Sequence, residues 1–236
     1  YDTTLESAKT DITLRHLISH TSGLTYWTTV TGVGDVAEQY DELGIMQCSA
    51  DGRQSLEAEV RFLAQLPLIA HPGESWNYSI STDVLGAIIE QVTGKRLGVY
   101  LDEIIFQPLN MQNTFFQIPT DDLKSASEIY TTATAPQLAT IDVESDIDWK
   151  IIRSPLNARR TRVPNCDSGG GGLFASVNDF AKYLAMIANG GKLNGVRVLS
   201  EESMQLHLRD QTTKMLPEAF RRGFGDDASS YMKFAA

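Results

Sequence analysis

Acyl transfer from an ester or amide demands a nucleophile, a base to take its proton and donors for the developing oxyanion. Serine, lysine, histidine and tyrosine in short spacings are therefore the first residues to weigh. Ser230-Tyr231-Met232-Lys233 is a Ser-x-x-Lys, which on a helix would set an ammonium one turn from a hydroxyl. With 18 serines and 8 lysines in 236 residues, chance alone supplies such a pair, and the segment from Gly223 onward has little periodicity. His16 and His20 stand four apart, but no third ligand of the zincin type follows, so no metal is expected. The glycine run 169–172 imitates a phosphate loop but lacks the Gly-Lys-Ser/Thr ending, so no nucleotide or other cofactor is expected there either. It reads as close backbone packing ahead of a helix. Cys48 and Cys166 have no metal-ligand spacing and read as two free thiols. Tyr78, in Pro72-Gly73-Glu74-Ser75-Trp76-Asn77-Tyr78-Ser79, reads on residue type alone as a packed tyrosine whose hydroxyl meets the backbone.

The elements that must position these residues are mostly helical. Ile12–Ile18 starts a short helix with Asp11 as its N-cap, and Leu14, Leu17 and Ile18 share one face. One short helix near Val36–Leu43 interrupts a loop-rich stretch over 25–54. Ser55–Leu66 is amphipathic, with Ser55 as cap, Leu56, Val60 and Leu63 as the buried stripe, and Pro67 as the stop. His71-Pro72-Gly73-Glu74 is a turn. Ser81–Thr93 carries Val84, Leu85, Ile88, Ile89 and Val92 at helical spacing, and Gly94 provides a left-handed cap. A further helix spans about Val99–Phe106, closed by Pro108. Residues 112–165 give weak, mixed signals. Ser176 and Asp179 form a capping-box variant for a helix reaching Ile187, with Phe180, Tyr183, Leu184 and Ile187 as its inner face. Val196–Leu199 reads as a short strand and Glu201–Arg209 as a last helix.

Bulk properties narrow the class. Hydrophobic residues make up 42% and charged residues 21%, an ordinary globular balance, and 236 residues suffice for a real core. The net charge of -10 repels nucleic-acid phosphates and anionic lipids, so neither is an expected partner. No apolar run is long enough to span a bilayer. Oligomeric state is not legible, and the cytoplasm is only slightly favoured as the compartment.

Several segments together resemble the serine β-lactamase and penicillin-binding-protein superfamily. They are Ile12-Thr13-Leu14-Arg15-His16-Leu17-Ile18-Ser19-His20-Thr21-Ser22-Gly23-Leu24, Pro72 to Ser79, Val84-Leu85-Gly86-Ala87-Ile88-Ile89-Glu90 with Thr93-Gly94-Lys95, and Ile105-Phe106-Gln107-Pro108-Leu109-Asn110-Met111. Gly170-Gly171-Gly172-Leu173 with Ser176 and Asp179 completes the series, and all fall in the family's order. The resemblance implies an α/β, β-lactamase/transpeptidase-like fold. Residues 1–236 would be one incomplete domain, mostly its helical subdomain, with little of the antiparallel sheet.

In that family the nucleophile is the serine of a Ser-x-x-Lys, and a tyrosine from the helical subdomain serves as base when nearby positive charge favours its phenolate. By position Tyr78 matches that tyrosine, and it is the one catalytic residue expected in this chain. The nucleophile motif is expected ahead of His20, and the Lys-Thr-Gly element of an edge strand is not seen; His20 and Thr21 read as helix-end hydrogen bonding. Lactam-cleaving members usually carry Tyr-x-Asn, whose carboxamide bonds the substrate's amide side chain; here the third position is Ile80, with neither donor nor acceptor. Asp83-Val84-Leu85-Gly86 resembles the family's carboxylesterases, the family VIII branch. The resemblance therefore implies a serine carboxylesterase acting on a small-molecule ester through an acyl-enzyme. The alternatives are a β-lactamase or D-aminopeptidase-type amide hydrolase, and a non-catalytic binding protein that kept the fold.

Overall fold

The computed structural model describes residues 5–27, 34–45, 55–128, 130–132, 151–153 and 163–209. The Ser230–Lys233 motif and the tail from Gly223 lie outside the described residues. Two compact units emerge, one of residues 1–116 with 165–236 and one of residues 117–164.

In the first unit the order begins with α1 (Leu14–Ile18), α2 (Asp35–Glu42), α3 (Leu56–Leu63), α4 (Ser81–Thr93) and α5 (Leu97–Leu101). A π-helical turn, Asp102–Phe106, follows directly on α5. Next come β1 (Thr114–Phe115), β4 (Phe174–Ala175), α6 (Val177–Ala188), β5 (Lys192–Leu193), β6 (Val196–Arg197) and α7 (Glu201–His207). β1 pairs antiparallel with β4, Thr114 facing Ala175, and β5 pairs antiparallel with β6. The second unit holds a 3₁₀ turn, Thr120–Lys124, and the antiparallel pair β2 (Tyr130–Thr132) and β3 (Ile151–Arg153). The described architecture is thus helix-rich with small antiparallel ladders, as the sequence implied. Among the described residues no helix is long and apolar enough to cross a membrane.

α4 is the axis of the first unit and packs against α1, α3 and α5. Its core gathers Leu17, Leu24, Tyr40, Leu56, Leu63 and Ile80, while Phe106, Leu109, Met111 and Met186 form a second cluster under α6. Ser55 caps α3 through Ala58 N–H, and Gly94 ends α4 in the left-handed conformation.

The structure departs from expectation at two helices. α1 is capped by Thr13, not Asp11: the Thr13 hydroxyl accepts from His16 N–H and His16 Nδ1 accepts from Thr13 N–H, each at 3.2 Å. Histidine takes the place that Glu or Gln holds in the usual reciprocal box. On α1 only Leu17 is buried, Leu14 being 57% exposed. On α6 the anchor is Met186; Phe180 is 53% exposed, while Tyr183 and Ile187 pack on the second cluster. Helical spacing defines an apolar stripe, but the neighbours decide which edge of it is covered.

Candidate active site

Tyr78 sits on a segment lashed to the chain that follows α1. Ile69 N–H donates to Gly23 O at 2.9 Å, Gly73 N–H to Thr21 O at 2.7 Å, Asn77 N–H to His20 O at 2.9 Å and Ile80 N–H to Thr25 O at 3.2 Å. The approach is tight enough to require glycine at one point: a Cβ on Gly23, at φ +81°, would lie 2.1 Å from Ala70 O. Residues 20–25 therefore act as a rail on which residues 69–80 are held, delivering Tyr78 just ahead of α4.

Around it the rings crowd. The Tyr78 ring lies 5.3 Å from Tyr26, nearly parallel at 22°, 5.1 Å from the imidazole of His20 and 6.4 Å from Trp76. His20, Tyr26 and Trp76 are buried, whereas Tyr78 is 38% exposed. A phenol whose ring is gripped while part of its surface is open can meet a reactant without a rotamer search. Burial holds the His20 imidazole below the ordinary histidine value.

Beside this cluster the glycine run does what its composition suggested. A Cβ on Gly169 would lie 2.3 Å from Thr82 O, and one on Gly170 would lie 2.5 Å from Asp83 Oδ2 and 2.8 Å from the Tyr26 hydroxyl. Asp83 draws the loop in: its Oδ1 accepts from the Ser168 hydroxyl at 2.5 Å and from Gly170 N–H at 3.2 Å.

Ile80, expected to offer neither donor nor acceptor, is buried. Its side chain is 0% exposed and belongs to the core with Leu17, Leu24 and Leu56. The two-free-thiol expectation fails, because Cys166 is disulfide-bonded; the chain's other cysteine, Cys48, lies outside the described residues. Spacing along a chain says nothing about which thiols the fold brings together. His16 is committed to capping α1, and among the described residues no three His, Cys, Asp or Glu side chains gather as metal ligands.

A separate cleft of about 350 Å³ is lined by Ser55, Leu56, Glu90, Lys95, Arg96 and Cys166 among others. Its charges are already engaged. Lys95 meets Glu103, Arg96 meets Asp167 at 2.7 Å, and Glu90 accepts from Leu97 N–H at 2.8 Å.

The helix-rich frame with its small antiparallel ladders is that of a β-lactamase/transpeptidase-like fold. The chain matches the Beta-lactamase family model over residues 3–231 and belongs to that family. Esterase EstB of Burkholderia gladioli is 43% identical over 106 residues, 44% of this chain and 26% of that esterase. An uncharacterized protein of Mycobacterium tuberculosis is 29% identical over 206 residues, covering 87% of this chain and 46% of that protein. The structure of EstCE1, a hydrolase with promiscuous acyltransferase activity, matches with a TM-score of 0.64 at 26% identity, over 90% of this chain and 53% of that one. The chain thus spans about half the length, or less, of the relatives it matches.

Of the neighbours of Tyr78, sequence reasoning names Trp76 in the same motif but neither His20 nor Tyr26. His20 reads there as a helix-end residue, and Tyr26 carries no motif at all. A pair of aromatic residues just beyond α1 was the available signal, and only the fold shows which of them meets the tyrosine.

Proposed function

We propose that this chain contributes the tyrosine side of a serine hydrolase that cleaves small carboxylic esters through an acyl-enzyme, with Tyr78 taking the nucleophile's proton. The serine oxygen attacks the ester carbonyl as its proton passes to the Tyr78 oxygen. The alcohol departs carrying that proton, and water then releases the acid. The observation that carries this reading is the half-exposed Tyr78 ring held among buried His20, Tyr26 and Trp76. Similarity to esterase EstB supports ester over lactam substrates. So does the withdrawal of position 80 into the core, which leaves no side chain there to bond a lactam's amide.

The test uses the full natural protein. Tyr78→Phe should retain the fold and KM while kcat on p-nitrophenyl butyrate drops by about 10²–10⁴-fold, the usual size of a general acid–base contribution. Near-normal kcat in that variant, or a complete reading frame without a Ser-x-x-Lys ahead of His20, overturns the assignment. Rapid nitrocefin turnover without ester turnover overturns the ester preference.

A second reading has one specific support: EstCE1 is a hydrolase with promiscuous acyltransferase activity. The same acyl-enzyme could pass its acyl group to an alcohol instead of water. Adding a primary alcohol to the ester assay and quantifying the new ester against free acid separates the two outcomes.

A further inference from the structure

Three fully buried serines link the rail to the start of α4. Leu24 N–H donates to Ser22 Oγ at 3.2 Å, Ser22 Oγ lies 2.8 Å from Ser81 Oγ, and Ser81 Oγ lies 2.7 Å from Ser79 Oγ. Ser79 Oγ in turn lies 3.2 Å from His20 Nδ1, which also receives Ser79 N–H at 3.3 Å. All three serines are 0% exposed.

A backbone N–H can only donate, and that fixes the sense of the chain. His20 Nδ1 is the acceptor and carries no proton, so the neutral ring keeps its proton on Nε2. With the Ser79 hydroxyl also sharing its proton with Nδ1, Ser81 donates to Ser79 and Ser22 to Ser81. The hydroxyls are then directed one way, and a buried hydrogen-bonded chain of this kind holds its members rigidly.

The histidine at its end is held at the backbone too. His20 adopts φ +55°, in the left-handed region that few residues other than glycine enter, although histidine and asparagine do so more than most. Its N–H donates to Leu17 O at 3.3 Å, and its carbonyl accepts from Asn77 N–H. Strain at a non-glycine residue persists where the surroundings over-determine it. What this fixed imidazole touches is the Tyr78 ring at 5.1 Å, with the Trp76 indole edge-on at 6.1 Å.

We infer that His20 is a positioning residue for Tyr78, its imidazole locked in the Nε2–H tautomer by the Ser22–Ser81–Ser79 chain and set against the phenol ring. The inference rests on the reading of Tyr78 as the catalytic tyrosine. Burial keeps the imidazole neutral to lower pH than an ordinary histidine, in keeping with an acceptor at Nδ1.

The discriminating variant is His20→Asn in the full natural protein. Asparagine tolerates the positive φ, and its side-chain oxygen can replace Nδ1 toward Ser79, but it removes the ring that meets Tyr78. The expected result on p-nitrophenyl butyrate is a kcat lowered by about 10- to 100-fold with KM within twofold, since small misplacements of a reacting group cost that much. In the double variant with Tyr78→Phe, the His20 change should add nothing, because there is no hydroxyl left to position. A large Tyr78→Phe loss beside an unchanged kcat in His20→Asn overturns the positioning role and leaves the Tyr78 assignment standing. An additive double variant also overturns it, as does a raised KM with unchanged kcat. If Tyr78→Phe itself is fully active, the catalytic reading fails first and this inference with it. Imidazole ¹⁵N spectra of the unmutated protein give a test that does not depend on a variant folding. Nδ1 should resonate as an unprotonated nitrogen, and a protonated Nδ1 overturns the proposed tautomer lock.

Discussion

Two buried aspartates stand at the third position of their helices, Asp83 on α4 and Asp179 on α6, and each reaches across the chain to pin a loop. Asp83 holds Ser168 and Gly170; Asp179 accepts from Asn113 N–H at 2.6 Å and from the Thr114 hydroxyl at 3.2 Å. Their surroundings differ in charge. Lys182 Nζ lies 2.8 Å from Asp179, one turn along the same helix. The described partners of Asp83 are a hydroxyl and an amide, with the Glu59 carboxylate adding repulsion. Burial works against the charge at both sites. At Asp83 it prevails and pushes the carboxyl above the usual aspartate range. At Asp179 the Lys182 and Asn113 donors more than offset it and hold the carboxyl below that range. The same residue at the same helical position is therefore a reluctant anion beside the candidate site and a committed one at the start of α6.

The largest effect separating the two should come from truncation. Asp179→Ala strands the Asn113 amide and the Thr114 hydroxyl and removes the carboxylate paired with Lys182, which keeps Asn110 O, and losing hydrogen bonds to a buried charged group costs about 3 kcal/mol. Asp83→Ala strands a hydroxyl and an amide but also removes a charge that burial disfavours, so its cost should stay near 1–2 kcal/mol, roughly that of unsatisfied neutral groups. Urea unfolding of both variants measures the gap, and an Asp83→Ala loss equal to or above that of Asp179→Ala would break the contrast. A smaller effect tests whether Asp83 really holds a packed glycine loop. Gly169→Ala drives a methyl into Thr82 O and should cost about 1–3 kcal/mol through overpacking. At Gly171 a Cβ would meet nothing within 4 Å. Gly171→Ala should accordingly stay within about 0.5 kcal/mol, as surface changes usually do. Thermal or urea unfolding of the pair decides it.

Legibility followed the range of the forces involved. Helix α4, Ser81–Thr93 with its Gly94 cap, was readable to the residue because apolar spacing and a left-handed terminus are both local. The cap of α1 was missed because histidine rather than a carboxylate or carboxamide closes the box at Thr13. The π-helical turn at Asp102–Phe106 leaves no local mark. Tyr78 is singled out by its order among family-like motifs, not by its own chemistry. Its neighbours His20 and Tyr26 come from a distant stretch, and no periodicity links them to it. Ile80 shows the converse hazard. Its identity was read correctly as non-polar, but identity alone does not say that a side chain two residues from Tyr78 turns wholly into the core.

The finest test of the two aspartates is the sign of their pH dependence. Stability rises with pH wherever the unfolded chain binds more protons than the folded one. For Asp179, held below its ordinary value of 3.8, the unfolded chain takes up the proton first as pH falls, so its contribution is present above about that value and is lost on acidification through the folded pKa. For Asp83, raised above 3.8, the folded chain keeps its proton longer as pH rises, so stability declines between 3.8 and the folded pKa. Asn keeps an acceptor at either site and removes the titration. Relative to the unmutated protein, Asp179→Asn should therefore lose stability as pH rises through the aspartate range, while Asp83→Asn should gain. Urea midpoints collected across that range for both variants should diverge in opposite directions. If the two run parallel, the Lys182 ion pair is not what distinguishes these carboxylates, and the Glu59 side of Asp83 is the next place to mutate.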